Sequence, residues 1–234
     1  MVREDVTILI QGRINVKHID KWVHKYKDWN VIISTWNEYD LNVIKIPPKW
    51  TVLMFPKPNK RFFNVGNLDL QILSTLNGLR YVETPYTIKA RGDEFFSNLY
   101  RFVNEMEYKK DKIICSDVFY RGLQTGSFFH ISDHLIGSST ENIKLMFQNT
   151  WDLLKDGWLM PVNTVGPENY LGYGFIKSKE NLDVNHIKLH LTDEFSQPLF
   201  EKWFDYIPMS KLDPYVVVYH GKDHSSQYPC HYHF

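Results

Sequence analysis

Short apolar runs alternate with stretches of helical spacing through the first two thirds of the chain. Val6 to Ile10 is a β-branched run closed by Gln11-Gly12, and it predicts a strand. Val16 to Trp29 carries Val16, Ile19, Val23 and Tyr26 at helical spacing. Val31 to Thr35 predicts a second buried strand, followed by the polar group Asn37-Glu38-Tyr39-Asp40. Val43 to Ile46 is a third strand candidate, stopped by Pro47-Pro48. After the turn cluster Asn64 to Asn67, Leu70, Leu73, Leu76 and Leu79 mark a helix. Tyr86 to Ala90 reads as a strand, Phe95 to Met106 as a helix, Ile113 to Tyr120 as a strand, and Thr140 to Trp151 as a helix. From Pro161 onward the pattern is irregular, and the tail is rich in His and Tyr.

Strands buried on both faces and alternating with helices predict an α/β fold with a mainly parallel central sheet flanked by helices. Ligands in such sheets sit beyond the carboxyl ends of the strands. Three polar groups fall there: Gln11-Gly12-Arg13, Trp36 to Asp40, and Arg91 to Glu94. The irregular region after Pro161 reads as part of the same domain, folding back over that cleft.

Composition narrows the function classes. The 234 residues carry 27 basic and 27 acidic side chains, so bulk charge gives no argument for nucleic-acid binding. Two cysteines, Cys115 and Cys230, fit a reducing compartment, and Cys115 reads as a small buried hydrophobe. No apolar stretch approaches the ~20 residues that span a bilayer. Met-Val-Arg-Glu-Asp followed directly by a strand is unlike a secretory leader. The expectation is a cytoplasmic chain with no transmembrane segment, meeting a membrane only at its surface.

The sharpest chemical feature is Thr87-Ile88-Lys89-Ala90-Arg91-Gly92-Asp93-Glu94. Carboxylates at the end of a buried strand can hold Mn²⁺ or Mg²⁺ through oxygen, and such an ion would serve a diphosphate as Lewis acid. Lys89 and Arg91 add positive charge and alternate to the opposite side from Ala90. The stretch also reads as a surface turn. Gly12 would let backbone approach a base or ribose, or would simply serve a turn. Glu38 and Asp40 read as acceptors for a ribose or base, or as solvated loop acids. Gln71 and Ser74 lie one helical turn apart near the cleft, with Ser74 on the helix surface. Asp133, flanked by His130 and His134, reads as a sugar-binding group or a turn cap, since the spacing fits no zinc pattern.

Several blocks, taken in order, resemble the WavE lipopolysaccharide-synthesis family. They are Val6-Thr7-Ile8-Leu9-Ile10-Gln11-Gly12, Ile32-Ile33-Ser34-Thr35-Trp36, Asn67 to Leu79, Thr84 to Asp93, and Phe129-His130-Ile131-Ser132-Asp133. That family is similar to glycosyltransferases of the GT-A type. The resemblance implies a nucleotide-sugar donor (UDP- or GDP-linked), a glycan or glycoconjugate acceptor, and Mn²⁺ or Mg²⁺. One domain, 1–234, would then divide into a donor half to about residue 135 and an acceptor-side half with the tail. Asp93 maps onto the last Asp of the Asp-x-Asp metal motif, while Arg91 replaces the first. Gln11, Gly12, Arg13, Asp40, Gln71 and Arg91 would seat the donor. Gly166-Pro167-Glu168-Asn169-Tyr170-Leu171-Gly172 is similar to the acceptor-side Glu-Asp-x-x-Leu-Gly stretch, with Asn169 in place of the second acid. Glu168 or Asp133 would then be the general base of an inverting transfer; a retaining one would need neither. Glu168 reads equally as a first-turn acid of a helix begun by Pro167. His220 would complete the metal shell, and Lys222 would neutralise phosphate. The competing readings are a non-catalytic nucleotide- or glycan-binding domain and a nucleotide-sugar hydrolase.

Overall fold

A computed structural model describes residues 1–38, 45–59, 67–117, 128–158, 166–183, 192–208, 215–219 and 222–223. The strands among them are β1 (Val6–Gln11), β2 (Asn30–Trp36), β3 (Thr51–Phe55), β4 (Tyr86–Arg91), β5 (Glu94–Phe96), β6 (Ile113–Ser116), β7 (Leu135–Ser139), β8 (Phe204–Ile207), β9 (Tyr215–Tyr219) and β10 (Lys222–Asp223). The α-helices are α1 (Ile19–Tyr26), α2 (Leu68–Leu79), α3 (Leu99–Tyr108), α4 (Thr140–Lys155), α5 (Pro167–Glu180) and α6 (Asp193–Trp203).

Seven strands form one sheet in the order β3-β2-β1-β4-β7-β6-β8. Every neighbouring pair is parallel except those made by β7, which runs antiparallel to both β4 and β6. The sheet is therefore mixed and mostly parallel, an arrangement compatible with a GT-A-like fold. Its strands alternate between two cores. Val6, Ile8 and Ile10 of β1 face α1 and α3, while Leu9 faces the layer of α2, α4, α5 and α6. A sheet covered on both faces needs apolar residues on both, which explains the unbroken Ile-Leu-Ile run of β1.

The parallel register pairs Leu9 with Lys89 and Gln11 with Arg91. Side chains two apart share a face, so Lys89 and Arg91 both point toward the α2–α5 layer. The antiparallel β7 has a second effect. Its first residues, not its last, lie at the carboxyl edge of β1 and β4, so the preceding loop delivers Asp133 and His134 to that edge.

A second, three-stranded antiparallel sheet has the order β10-β9-β5, with Glu94 opposite Val217. The C-terminal backbone thus returns to the strand that follows Asp93. Trp22 of α1 donates to the Glu94 carbonyl at 3.2 Å, and the Tyr26 hydroxyl donates to the Phe96 carbonyl. These bonds tie α1 to β5, so Phe95 and Phe96 are strand residues and the helix begins at Leu99.

Other boundaries also differ from expectation. Val16–His18 is a 3-10 turn before α1, α4 continues to Lys155, and β6 ends at Ser116. The third strand lies at Thr51–Phe55, beyond the two prolines, and Ile46 is not in a strand. Residues 43 and 44 of the expected strand lie outside the described residues, as do 118–120 of the expected long β6. Cys115 is fully buried, and burial pushes its thiol well above the usual range. Cys230 lies outside the described residues.

A candidate active site at the carboxyl edge of the sheet

The ends of β1 and β4, the start of β7, and one face of α2 converge on a buried polar cluster. Ser74 donates to Gln11 Oε1 at 2.7 Å and receives Ser34 Oγ at its carbonyl at 2.6 Å. Ser74 is fully buried, not on the helix surface as its spacing suggested. One turn earlier, Gln71 Nε2 donates to Asp133 Oδ2. Gln11, Gln71 and Asp133 are thereby joined through α2.

Arg91 occupies the centre of the cluster. Its Nε and Nη2 donate to the two Asp93 oxygens at 3.0 and 2.9 Å, a two-pronged pair. Glu94 Oε1 is 3.3 Å from Nε, and Asp133 Oδ2 is 3.9 Å from Nη1. Burial works against the charge on Arg91, but Glu94, Asp133 and Asp93 outweigh it and raise its pKa further. Gly92 permits this arrangement. Its amide donates to the Gln11 carbonyl at 2.9 Å and its carbonyl accepts from Asn15 at 2.7 Å. A Cβ on Gly92 would lie 2.6 Å from the Arg13 carbonyl oxygen, so no other residue lets the two loops meet.

Lys89 lies below Arg91 on the same strand face, fully buried, and donates to the Asp133 backbone carbonyl. Burial pulls its pKa down to about 8, with Asp133 holding it from falling further. His134 sits between two acids. Its Nδ1 bonds Glu94 Oε1, and its Nε2 lies 3.6 Å from Asp133 Oδ1. Burial would raise the Asp133 pKa, yet Lys89, His134, Arg91 and the Gln71 bond overcome it and hold the carboxyl well below the usual range.

Glu168 approaches from α5. The Asn169 side chain accepts from the Gly166 amide at 2.9 Å, which is one half of a capping box, and the Asn169 amide donates to the Gly166 carbonyl at 3.2 Å. Pro167 starts the helix and Glu168 follows it, half-buried, with Oε2 at 3.9 Å from His130 Nε2. Its pKa is raised, first by burial and then by the nearby Asp133 charge. Asn169 is engaged with the neighbouring loop, where its Nδ2 donates to the Phe128 carbonyl at 2.7 Å.

The nucleotide-side residues divide. Gly12 has φ +84°, and among the described residues no atom beyond its chain neighbours lies within 4 Å of where its Cβ would be. Its glycine is required by backbone conformation beside open space. Arg13 is exposed at the rim. Glu38 is exposed and paired with Lys57 at 3.1 Å. Asp40 and His220 lie outside the described residues. Of Lys222 only the backbone is described, in β10.

A divalent ion at Asp93 fits these side chains poorly. Both Asp93 oxygens are engaged by a guanidinium, and no set of three His, Cys, Asp or Glu side chains placed to share an ion occurs among the described residues.

Sequence reasoning named Lys89 as added positive charge and Glu94 within a carboxylate pair, but did not join them to Asp133 and His134 in one buried cluster. The available signal was a lysine between Ile88 and Ala90 in a strand buried on both faces, where an unpaired charge is costly.

Fold and site together define a mixed α/β protein with a buried cluster of charged and polar side chains at the carboxyl edge of its sheet. The chain belongs to the WavE lipopolysaccharide synthesis family, whose sequence profile matches residues 11–175. A comparison with curated proteins finds no match. The matched span holds every described member of the cleft, from Gln11 to Glu168.

Proposed function

We propose that this protein is a glycosyltransferase that moves a sugar from a nucleotide-sugar donor to a hydroxyl of a glycan or glycoconjugate acceptor. Membership of a lipopolysaccharide synthesis family supports sugar chemistry. One observation carries the reading further: a fixed cation, Arg91, and a carboxyl with a raised pKa, Glu168, meet within electrostatic reach of each other in one cleft. Transfer from a nucleoside diphosphate needs a cation at the leaving group and a base at the incoming hydroxyl.

In this scheme the donor lies along the ends of β1 and β4, with Gln11, Gly12, Arg13 and Gln71 on the nucleotide side and Arg91 at the diphosphate. Glu168 takes the acceptor proton as the acceptor oxygen bonds to the anomeric carbon. The bond from that carbon to the diphosphate oxygen breaks, and the diphosphate leaves with the electron pair. Asp133 is a poor base, because four neighbours stabilise its anion; its part is to position Gln71 and Arg91.

The test is turnover of a panel of UDP- and GDP-sugars, with and without glycan acceptors. One donor should be consumed, and Glu168→Gln should slow transfer by roughly 10²- to 10⁴-fold while leaving nucleotide binding intact. Equal rates in the variant would remove Glu168 from the mechanism. Failure of every donor to bind would leave a non-catalytic domain.

A further inference from the structure

We infer that the cation serving the leaving diphosphate in this cleft is the guanidinium of Arg91 in place of a divalent metal ion. The inference rests on the transferase reading above and specifies its leaving-group chemistry.

Position comes first. Asp93, Glu94 and Asp133 approach from the β4–β5 turn, from β5 and from the loop before β7. All three direct oxygens at one group, and that group is Arg91, at 2.9, 3.3 and 3.9 Å respectively. A divalent ion would have to take these oxygens from Arg91, since both Asp93 oxygens are bonded to it. Arg91 is a side chain that stays charged at any working pH.

Charge comes second. His134 stands between two of these acids, with Nδ1 bonded to Glu94 Oε1 and Nε2 3.6 Å from Asp133 Oδ1. Arg91 and Lys89 already place two cationic side chains among Asp93, Glu94 and Asp133. A dication added there would meet both at close range.

Access comes third. Glu94 Oε2 and Asp133 Oδ1 are buried oxygens without a hydrogen-bond partner among the described residues, and at first sight they invite an ion. Their side chains are only 1% and 6% exposed, so an ion would have to enter the interior to reach them. Arg91 itself is 24% exposed. Two of its five N–H groups are spent on Asp93, and its Nη1 makes only the long contact with Asp133 among the described residues. The remaining N–H groups suit phosphoryl oxygens, which accept forked, charge-assisted bonds from arginine.

Two measurements on the full chain decide it. Calorimetric titration with UDP and with GDP, in excess chelator and then in excess Mn²⁺, should show one nucleotide binding equally in both buffers. Arg91→Met should weaken that binding about tenfold or more. Manganese EPR of the protein alone should show no stoichiometric bound ion, and this readout holds even if the Arg91 variant fails to fold. Binding that appears only with Mn²⁺, or one tightly held Mn²⁺ per chain, would overturn the inference and leave the transferase reading standing. If neither nucleotide binds in either buffer, the transferase reading itself is wrong and this inference falls with it.

Discussion

Glu168 and Asp133 share a cleft and are pushed in opposite directions. Burial and the Asp133 charge raise the Glu168 pKa. Burial acts on Asp133 too, but Lys89, His134, Arg91 and Gln71 reverse it. Two acids whose environments drive them apart take different roles. If Glu168 is the base, kcat/KM should rise with pH through an apparent pKa above that of an ordinary glutamate, and Glu168→Gln should lack that limb. Asp133 has a stability signature instead. Its pKa is depressed on folding, so the stabilisation is full above the ordinary aspartate range and is lost as pH falls toward the depressed value. Asp133→Asn should cost roughly 3–5 kcal/mol at neutral pH, the price of breaking a buried pair, and the gap from wild type should narrow in acid. Urea midpoints measured across pH would show this. Asp133 and Glu168 were both legible as candidates in the sequence. The opposite pulls on the two carboxyls were not, because they depend on Lys89 and Gln71, which reach Asp133 only through the folded sheet. Ser74 was misread for the same reason: a serine at helical spacing looks exposed until a strand carrying Gln11 packs against it.

At the scale of elements, α5 acts as a clamp on the loop that carries His130 and Asp133. Phe129 has φ +55°, a conformation that a bulky residue adopts only when its surroundings enforce it. Three contacts enforce it here: the Asn169 bond to the Phe128 carbonyl, the Phe129 ring 6.0 Å from that of Tyr173, and the Phe129 carbonyl against Gly172. Gly172→Ala would drive a Cβ into that carbonyl oxygen. The expected loss is about 1–3 kcal/mol, read as a lower melting temperature together with lower activity. Gly166→Ala is the informative contrast. Its Cβ would meet the Glu168 carboxylate, the far end of a flexible side chain. Activity should fall while the melting temperature stays near wild type. The Pro-Glu-Asn-Tyr-Leu-Gly stretch therefore owes its pattern to two tasks, aiming Glu168 and gripping the loop. Strands β1, β2 and β4 were legible because each is an apolar run ended by a polar turn. Strand β7 was hidden: Leu135–Ser139 is short, contains Gly137, and runs straight into α4, with Ser139 capping the helix by accepting from Asn142. The unrecognised β3 follows a double proline that reads as a stop, and Phe95-Phe96 continues the helical period of α3 without belonging to it.

For the molecule as a whole, the strand order matters more than any single boundary. Two apolar cores sandwich the sheet, and no helix among the described residues is long and apolar enough to cross a membrane. The α/β class and the edge that carries the site followed from alternation alone. The antiparallel insertion of β7 did not, since it depends on a pairing across more than forty residues, between β4 and β7. That insertion bears on how the chain is made. During synthesis β4 emerges well before β7, and until then its outer edge has no partner. An unpaired apolar strand edge templates aggregation, and an inward-pointing lysine is one way to blunt it. Lys89, which ends opposite Ile136 inside the sheet, would lie on that open edge in the nascent chain. The residue that holds Asp133 in the finished protein would thus guard β4 during synthesis. A fragment ending at His134 should stay partly soluble, and the same fragment with Lys89→Val should move into the pellet on centrifugation; equal partitioning of the two would show that Lys89 serves only the folded cleft.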